Sequence, residues 1–155
     1  MPGKLQAETR KLHPFESLEQ EAALNLHKTA DHLVAMSNEV FKQTALSPTQ
    51  YNVLRILRGA GEPLACGEIA SRMITREPDM TRLLDRLEKR GLISRCRPQN
   101  DRRVVATSIT PQGLELVGGL DGPVDALHKR QLGHLGAAKL RQLIELLEEA
   151  RSDPG

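Results

Sequence analysis

The residues best suited to a chemical task in this chain are the arginines and lysines between positions 72 and 103. This stretch holds ten Lys and Arg residues against five Asp and Glu residues, whereas the whole chain has a net charge of only +2. The positive charge is therefore concentrated, and the flanks are mildly acidic. Guanidinium groups bind phosphate oxygens and polar base edges. The stretch predicts an electropositive surface on the central part of the chain.

The centre of this stretch has the pattern of an amphipathic helix. Apolar side chains recur there at helical spacing: Met80, Leu83, Leu84 and Leu87. One side of the helix is therefore predicted to be buried, which leaves the opposite side free. At 100° per residue, Asp79, Arg82 and Arg86 fall within one stripe on the free side. The alternative interpretation of such a stripe is an ordinary solvated helix face.

The residues after this helix predict a β-hairpin with arginines at its tip. Gly91 is placed to end the helix, and residues 92–97 then alternate apolar with polar side chains as a strand does. Residues 98–101 have turn chemistry, and residues 104–109 return as a β-branched strand. With a short helix predicted at 67–73, this order gives the winged helix-turn-helix plan, in which the second helix enters the major groove of DNA.

The same residues resemble a known family. Asp101-x-Arg103, followed after five residues by Ile109-Thr110 and after two more by Gly113, resembles the wing signature of the MarR (multiple antibiotic resistance regulator) family. Residues 81–95 are similar to the recognition helix of that family and its exit into the wing.

The resemblance covers roughly residues 18–151 and implies a dimeric transcriptional regulator. It implies that the first and last helices of two subunits interlock. In the wing, it implies that Asp101 braces the tip and that Arg103 enters the minor groove. It also implies regulation by a small molecule or an oxidant.

The expected fold is mainly α with a small β-wing, formed by one domain over residues 1–155. Residues 46–110 are predicted to be the DNA-binding lobe, and residues 16–45 and 111–151 the helical dimerisation part. The apolar stripe of the first helix extends over about 40 Å, which is longer than a small lobe covers by itself. The last helix carries a second stripe that favours a partner helix.

Local signals place several further boundaries. Residues 1–15 show no periodicity and predict a flexible or extended arm. Ser47 and Gln50 can form a capping box around Pro48 at a helix start. Thr110-Pro111 repeats the cap and proline, but the glycines and proline at 118–123 predict a kink or break in the helix that follows.

We predict a sequence-specific regulator of double-stranded DNA that represses at a pseudo-palindromic operator. The predicted DNA contacts are Arg76, Asp79, Thr81, Arg82, Arg86, Arg95, Asp101, Arg102 and Arg103. The alternative is a helical protein-interaction module whose basic surface binds an acidic partner. Steep salt dependence and dependence on DNA sequence distinguish the first function from the second.

Two further sites are weaker hypotheses. Tyr51, His27 and Phe41 are candidates to line an effector pocket, although core or surface positions are the commoner roles of such residues. Cys66 begins a predicted helix, where amide dipoles favour a thiolate, so redox sensing is an alternative to a packing role. The family's oxidation-sensing branch carries its reactive cysteine in the first helix, and this chain has none there.

The sequence gives no indication of an enzyme. It contains no glycine-rich phosphate loop, nucleophile elbow or metal-ligand cluster, so we expect no cofactor and no metal. No apolar stretch reaches the roughly 18 residues of a membrane helix, and the N-terminus lacks the apolar segment of a signal peptide. These observations predict a cytoplasmic protein that does not bind membranes.

Overall fold

The structure is a computed structural model that describes residues 3–97 and 103–154. In these two ranges the chain is mostly helical, with three short strands. The elements in chain order are α1 (Lys4–Glu8), α2 (Leu18–Phe41), α3 (Pro48–Ala60), β1 (Leu64–Ala65), α4 (Cys66–Ser71), α5 (Met80–Lys89), β2 (Ile93–Cys96), β3 (Ala106–Ile109), α6 (Pro111–Leu132) and α7 (Ala137–Arg151). The predicted fold class, mainly α with a small β-wing, is confirmed.

The three strands form one antiparallel sheet in the order β1-β3-β2. In the hairpin, Ile93 pairs with Ile109 and Arg95 with Thr107, and on the other edge of β3 Leu64 pairs with Thr107. The predicted hairpin is confirmed, but β1 was not predicted from the sequence. A strand of two residues is too short for an alternating pattern, so only its pairing partner reveals it.

The lobe closes one apolar core. Helix α3 and helix α5 each bury four side chains in it, and α4, β2 and the first half of α6 complete it. The most completely buried members are Val53, Leu54, Ile69, Leu84, Leu87, Ile93 and Val117. Phe41 of α2 and Leu64 of β1 also lie in this core, so buried side chains from seven elements meet there. The orientation of α5 is therefore fixed from one side along its whole length.

The helix starts predicted from local signals are confirmed. Ser47 accepts from the Gln50 backbone, and the Gln50 side chain accepts from the Ser47 backbone, which completes the capping box. Thr110 caps α6 by accepting from the Gly113 backbone at 3.0 Å. Gly91 has a φ of 76°, in the left-handed region that glycine tolerates best, where the chain turns from α5 into β2.

The predicted break at residues 118–123 is wrong, because α6 continues from Pro111 to Leu132 with Pro123 inside it. Val117, Leu120, Val124 and Leu127 are all buried at helical spacing across this segment. Packing of that continuous stripe offsets the low helix propensity of glycine and proline.

The predicted extended arm is also partly wrong. Residues 4–8 form α1, whose Leu5 is only 4% exposed. Thr9 ends the helix, donating from its hydroxyl to the Leu5 carbonyl at 2.8 Å. Gly3 lies beside Glu21, which places the start of the arm against α2. A helix of five residues has too few turns to produce a periodic pattern.

Helix α2 and helix α7 contrast with the lobe. Helix α2 has 24 residues, of which only Phe41 is buried, and α7 has 15 residues, none of them buried. Helix α2 ends earlier than predicted, in a 3₁₀ turn at residues 42–44 followed by Ala45 with a φ of 53°. The Gln131 amide of α6 donates to the Leu33 carbonyl at 3.0 Å and ties α6 to α2.

Among the described residues, no helix combines the length and the apolar character that crossing a membrane requires.

Candidate nucleic-acid interface

Helix α5 presents two distinct faces, as the sequence predicts. Its apolar residues Met80, Leu83, Leu84 and Leu87 are buried in the lobe. The other face, which includes Thr81, Arg82, Asp85 and Arg86, is exposed. The predicted row of polar side chains is therefore accessible to a partner along the whole helix.

The turn before α5 is held by two contacts that set where this face begins. The Ile74 backbone N–H donates to the Asn52 side-chain oxygen of α3 at 2.8 Å. Asp79 is the N-cap of α5, and its carboxylate accepts from the Arg82 backbone at 3.0 Å. The Asp79 carboxylate, predicted from the sequence as a DNA contact, thus has a capping bond that fixes the start of the helix.

The cations of this face differ in whether they are already paired. Within residues 3–97 and 103–154, no carboxylate forms an ion pair with Arg76, Arg82 or Arg86. All three side chains are exposed. Their charges are therefore available to phosphate oxygens or base edges without first breaking an internal pair.

Arg95 is different, because its guanidinium is occupied by two carboxylates of α5. It pairs with Asp85, and it donates to Glu88 Oε1 at 3.1 Å. The Glu88 carboxylate also accepts from the Arg95 backbone N–H at 3.1 Å. The hydrogen bond from the Arg95 side chain, and to a smaller extent the one from its backbone, lowers the pKa of Glu88 below its ordinary value.

Arg90, at the end of α5, contacts the connection between α2 and the lobe. Its guanidinium donates to the Ala45 carbonyl at 3.0 Å and to the Thr44 carbonyl at 3.3 Å. These partners lie 45 and 46 residues away along the chain, so no local pattern indicates them, although a cation also suits the C-terminus of a helix. The end of the recognition helix is thereby bonded to the segment that carries the lobe.

The wing leaves the lobe through a tight contact at its base. A Cβ atom added to Gly113 would lie 2.3 Å from the Leu92 carbonyl oxygen and 2.8 Å from Ile109 Cγ1. Only glycine allows α6 to approach the start of β2 this closely. Both hairpin strands are thus anchored beside the N-terminus of α6.

The wing tip is described only at its two edges. Arg97 and Arg103 are exposed there. Asp101 and Arg102, predicted respectively to brace the tip and to bind DNA, lie outside the described residues. The structure therefore places two cations of the wing on the same lobe as the exposed face of α5, and the roles of Asp101, Arg102 and Arg103 stay predictions.

The three candidates for an effector pocket are not brought together within one chain. The Phe41 and Tyr51 rings are 5.1 Å apart and both are buried in the core. His27 is exposed on α2, fourteen residues before Phe41, or roughly 21 Å away at about 1.5 Å per residue. An open cleft of about 510 Å³ lies elsewhere, between the end of α5 and α6. It is lined by Thr44, Arg90, Leu92, Gln112, Glu115, Leu116, Gly119 and Leu120.

The two cysteines have different environments. Cys66 is the first residue of α4, half-buried against the lobe core. Cys96 is exposed at the end of β2. The packing of Cys66 accounts for a small residue at that position, and its redox role stays a prediction.

A helix-turn-helix packed by one side on an apolar core, whose second helix exposes an arginine row beside a basic β-hairpin, defines a winged-helix DNA-binding protein. The model of the MarR family matches residues 46–105. A crystal structure of a MarR transcription factor from Planctomyces limnophilus is 48% identical in sequence, covers 86% of this chain and 98% of that chain, and has a TM-score of 0.67. The chain belongs to the MarR family of transcriptional regulators.

Two other similar proteins extend the comparison. The homoprotocatechuate degradative operon repressor of Escherichia coli is 29% identical over 110 residues, which are 71% of this chain and 74% of that protein. A crystal structure of a mutant Escherichia coli MarR complexed with operator DNA is 23% identical and has a TM-score of 0.78. It covers 88% of this chain and 100% of that chain, and it supports the fold assignment.

Proposed function

We propose that this protein is a homodimeric repressor that binds a pseudo-palindromic operator in double-stranded DNA. The observation that carries the proposal is the exposed row of Arg82 and Arg86 on α5. Their side chains are accessible and have no carboxylate partner within the described residues, while the opposite face of the same helix is fixed in the lobe core.

In this proposal the two DNA-facing elements read different grooves. Helix α5 enters the major groove, where Arg82, Arg86 and Thr81 reach base edges and phosphates. Arg76, in the turn before α5, binds the phosphate backbone. The wing lies over the adjacent minor groove, whose narrow A·T-rich segments attract Arg103.

The proposed dimer follows from the apolar surface that one chain leaves uncovered. Leu18 is 81% exposed, Val34 55%, Ile144 52% and Leu146 63%. Such side chains on α2 and α7 are suited to a helical interface with a second copy, over residues 16–45 and 111–151. A two-fold dimer presents two copies of α5, so the operator has two related half-sites about one helical turn apart.

Repression and its release complete the proposal. A dimer that occupies a promoter excludes RNA polymerase, and an operon repressor is among the similar proteins. An effector relieves repression only if it binds the DNA-incompetent arrangement of the lobes more tightly than the competent one. Tyr51, His27 and Phe41 stay candidates for its site near the dimer interface. A repressor acts on the chromosome, which places the protein in the cytoplasm.

Equilibrium binding of the purified protein to fluorescent duplexes tests this function. A duplex selected from a random pool should bind more tightly than a scrambled duplex of the same composition by about 10³-fold or more. The logarithm of its affinity should fall steeply and linearly with the logarithm of salt concentration. Equal affinity for both duplexes and for polyglutamate would favour the acidic-partner module instead.

A further inference from the structure

Among the described residues, the polar bonds between β2 and α5 are all made by Arg95, beside the apolar packing of Ile93 in the lobe core. The Arg95 side chain is only 22% exposed, whereas the two carboxylates that it bonds, Asp85 and Glu88, are 56% and 42% exposed. The arginine therefore lies beneath the carboxylates. The surface that faces a partner at this point is largely acidic, with the guanidinium behind it.

The geometry of this contact fixes an orientation. Asp85 and Glu88 are three residues apart and lie on the same side of α5. The planar guanidinium bridges both, and the Glu88 carboxylate accepts in addition from the Arg95 backbone N–H. A single exposed ion pair contributes little. Several bonds from one residue to one helix restrict the direction in which β2 leaves it, because guanidinium geometry is rigid.

The pKa directions agree with a contact that is formed in the protein. Hydrogen bonds from Arg95 are the main cause that lowers the pKa of Glu88. Hydrogen bonds to Glu88 and then to Asp85 raise the pKa of Arg95 above its ordinary value. Both shifts favour the charged forms of Glu88 and Arg95.

The position of Arg95 in the hairpin lets this contact affect the orientation of the wing. Arg95 pairs with Thr107 across the hairpin, and Thr107 is itself buried and pairs with Leu64. Beyond Arg95 the strand runs through Cys96 to the wing tip. A rotation of β2 about Arg95 would therefore displace Arg97 and Arg103, the described residues on either side of the tip, relative to α5.

We propose that Arg95 is a positioning residue that sets the angle between the wing and α5 through Asp85 and Glu88, so that major-groove and minor-groove contacts form together. The inference rests on the proposed DNA-binding function. It differs from the role predicted for Arg95 from the sequence, which was a direct DNA contact.

Replacing Glu88 tests the proposal, because the positioning role and the general effects of the substitution predict opposite changes in DNA affinity. Glu88→Ala removes a negative charge near the DNA, and it removes an acidic side chain from a helix C-terminus, where it is unfavourable. Both general effects predict equal or tighter DNA binding. The positioning role predicts instead that affinity for the selected duplex falls by about 10-fold, a typical loss for one specific contact.

Glu62→Ala is the matched control, because it removes the same charge from the turn after α3, away from the contact with Arg95. It should bind the selected duplex at least as tightly as the unmodified protein. Glu88→Ala should also lose preference for A·T-flanked over G·C-flanked duplexes, which a change in stability alone does not alter. Binding by Glu88→Ala as tight as that of the unmodified protein would overturn the proposal.

A second variant separates positioning from direct contact. Arg95→Ala should weaken binding while leaving the slope of log affinity against log salt unchanged, because Arg95 neutralises carboxylates rather than phosphates. A slope smaller by about one would show a phosphate contact and would overturn the positioning role while sparing the DNA-binding function. Failure of the unmodified protein to discriminate between duplexes would instead reject the proposed function itself. Thermal unfolding of both variants shows whether they are folded at the assay temperature. If Arg95→Ala is unfolded there, the result for Glu88→Ala alone tests the proposal.

Discussion

The lobe helices α3 and α5 bury many more of their side chains within one chain than helices α2 and α7 do. In the lobe, α3 has 13 residues and α5 has 10, and each buries four side chains within one chain. In the carrying part, α2 buries one residue of 24 and α7 buries none of 15. With the first half of α6 and Phe41 of α2, the lobe therefore closes its core within one chain, whereas the rest of α2 and all of α7 display apolar side chains that only another surface can cover.

The closed core and the uncovered helices serve different roles, base recognition and dimerisation. A closed core holds the arginine row of α5 at a fixed place, which base recognition requires. An open helical base lets two such rows be joined at a defined distance by a second copy. The two parts are joined by the packing of α6 in the lobe core and by polar bonds such as those from Arg90 to the Thr44 and Ala45 carbonyls.

The largest expected effect comes from removing α7, which tests whether the uncovered helices form the dimer interface. Deletion of residues 137–155 should abolish the dimer and leave a chain that aggregates or binds the operator at least about 100-fold more weakly, because avidity is lost. Sedimentation and duplex titration measure both results. The control, Glu145→Ala with Glu149→Ala, changes exposed acidic residues of α7 and should remain dimeric. A well-behaved monomer both before and after the deletion would contradict the proposed interface.

Substitution of Gly113 tests the close packing between α6 and the base of the wing. An added methyl group would meet the Leu92 carbonyl oxygen at 2.3 Å, so Gly113→Ala should destabilise the protein by about 1–3 kcal/mol. Urea unfolding at fixed protein concentration measures the change.

Gly118→Ala is the control for this substitution, since nothing in the described chain lies within 4 Å of the added Cβ. It lies in the same helix and should raise stability by about 0.5–1 kcal/mol through helix propensity. Equal destabilisation by both variants would mean that helix α6, rather than its contact with the wing, limits what these sites accept.

Within the lobe, substitutions in α5 and substitutions in the wing should weaken DNA binding in different ways. Arg82→Ala or Arg86→Ala should cost about 1–3 kcal/mol of binding free energy on the selected duplex and relax its specificity. Arg102→Ala should weaken all sequences similarly, and Arg103→Ala should affect A·T-flanked sites most. Titrations against a panel of duplexes measure this. An equal loss on every duplex from all four variants would remove the division of labour between helix and wing.

The smallest expected effect concerns the ion pair that joins α3 to α6. Arg58 donates to both oxygens of Asp121, at 2.8 and 2.9 Å, and these bonds are the main cause that lowers the pKa of Asp121. Because the pKa is lower in the folded state, the stabilisation is present above the ordinary pKa of Asp. It is lost as the pH falls through the folded value.

Asp121→Asn should therefore lower the Tm at neutral pH by no more than about 2 °C, since the pair is exposed. The difference from the unmodified protein should shrink as the pH falls through that acidic range. Asp125→Asn is the control, because the Asp125 pair with Lys129 lies within one helix. A difference for Asp121→Asn that does not change with pH would show that the carboxylate charge is not its cause.

The sequence predicted the features of this fold that depend on local chemistry. The capping box of Ser47 and Gln50, the left-handed Gly91 and the two faces of α5 each follow from residues within one or two turns. The wing signature added the family. These signals are readable because they involve neighbours along the chain.

The features that the sequence did not predict depend on partners in space or on very short elements. Helix α1 and strand β1 are five and two residues long, too short for periodicity. Helix α6 continues through Pro123 because buried residues on both sides of it pack on the same core. The bonds of Arg95 to α5 and of Arg90 to Ala45 need the turn at Gly91 and the folded lobe, so charge patterning alone left those arginines free to be assigned to DNA or to a helix terminus.

The dependence of affinity on the spacing between half-sites tests the proposed dimer most directly. A selected operator should be two-fold symmetric, and inserting five base pairs at its centre rotates one half-site by about half a helical turn. If closed lobes are held at a fixed separation by a dimeric base, affinity for the altered duplex should fall by about 100-fold or more, toward that of a single half-site. Inserting ten base pairs restores the facing but not the distance, and it should recover little. Equal affinity for all three duplexes would contradict the central claim that two lobes bind as one rigidly spaced pair.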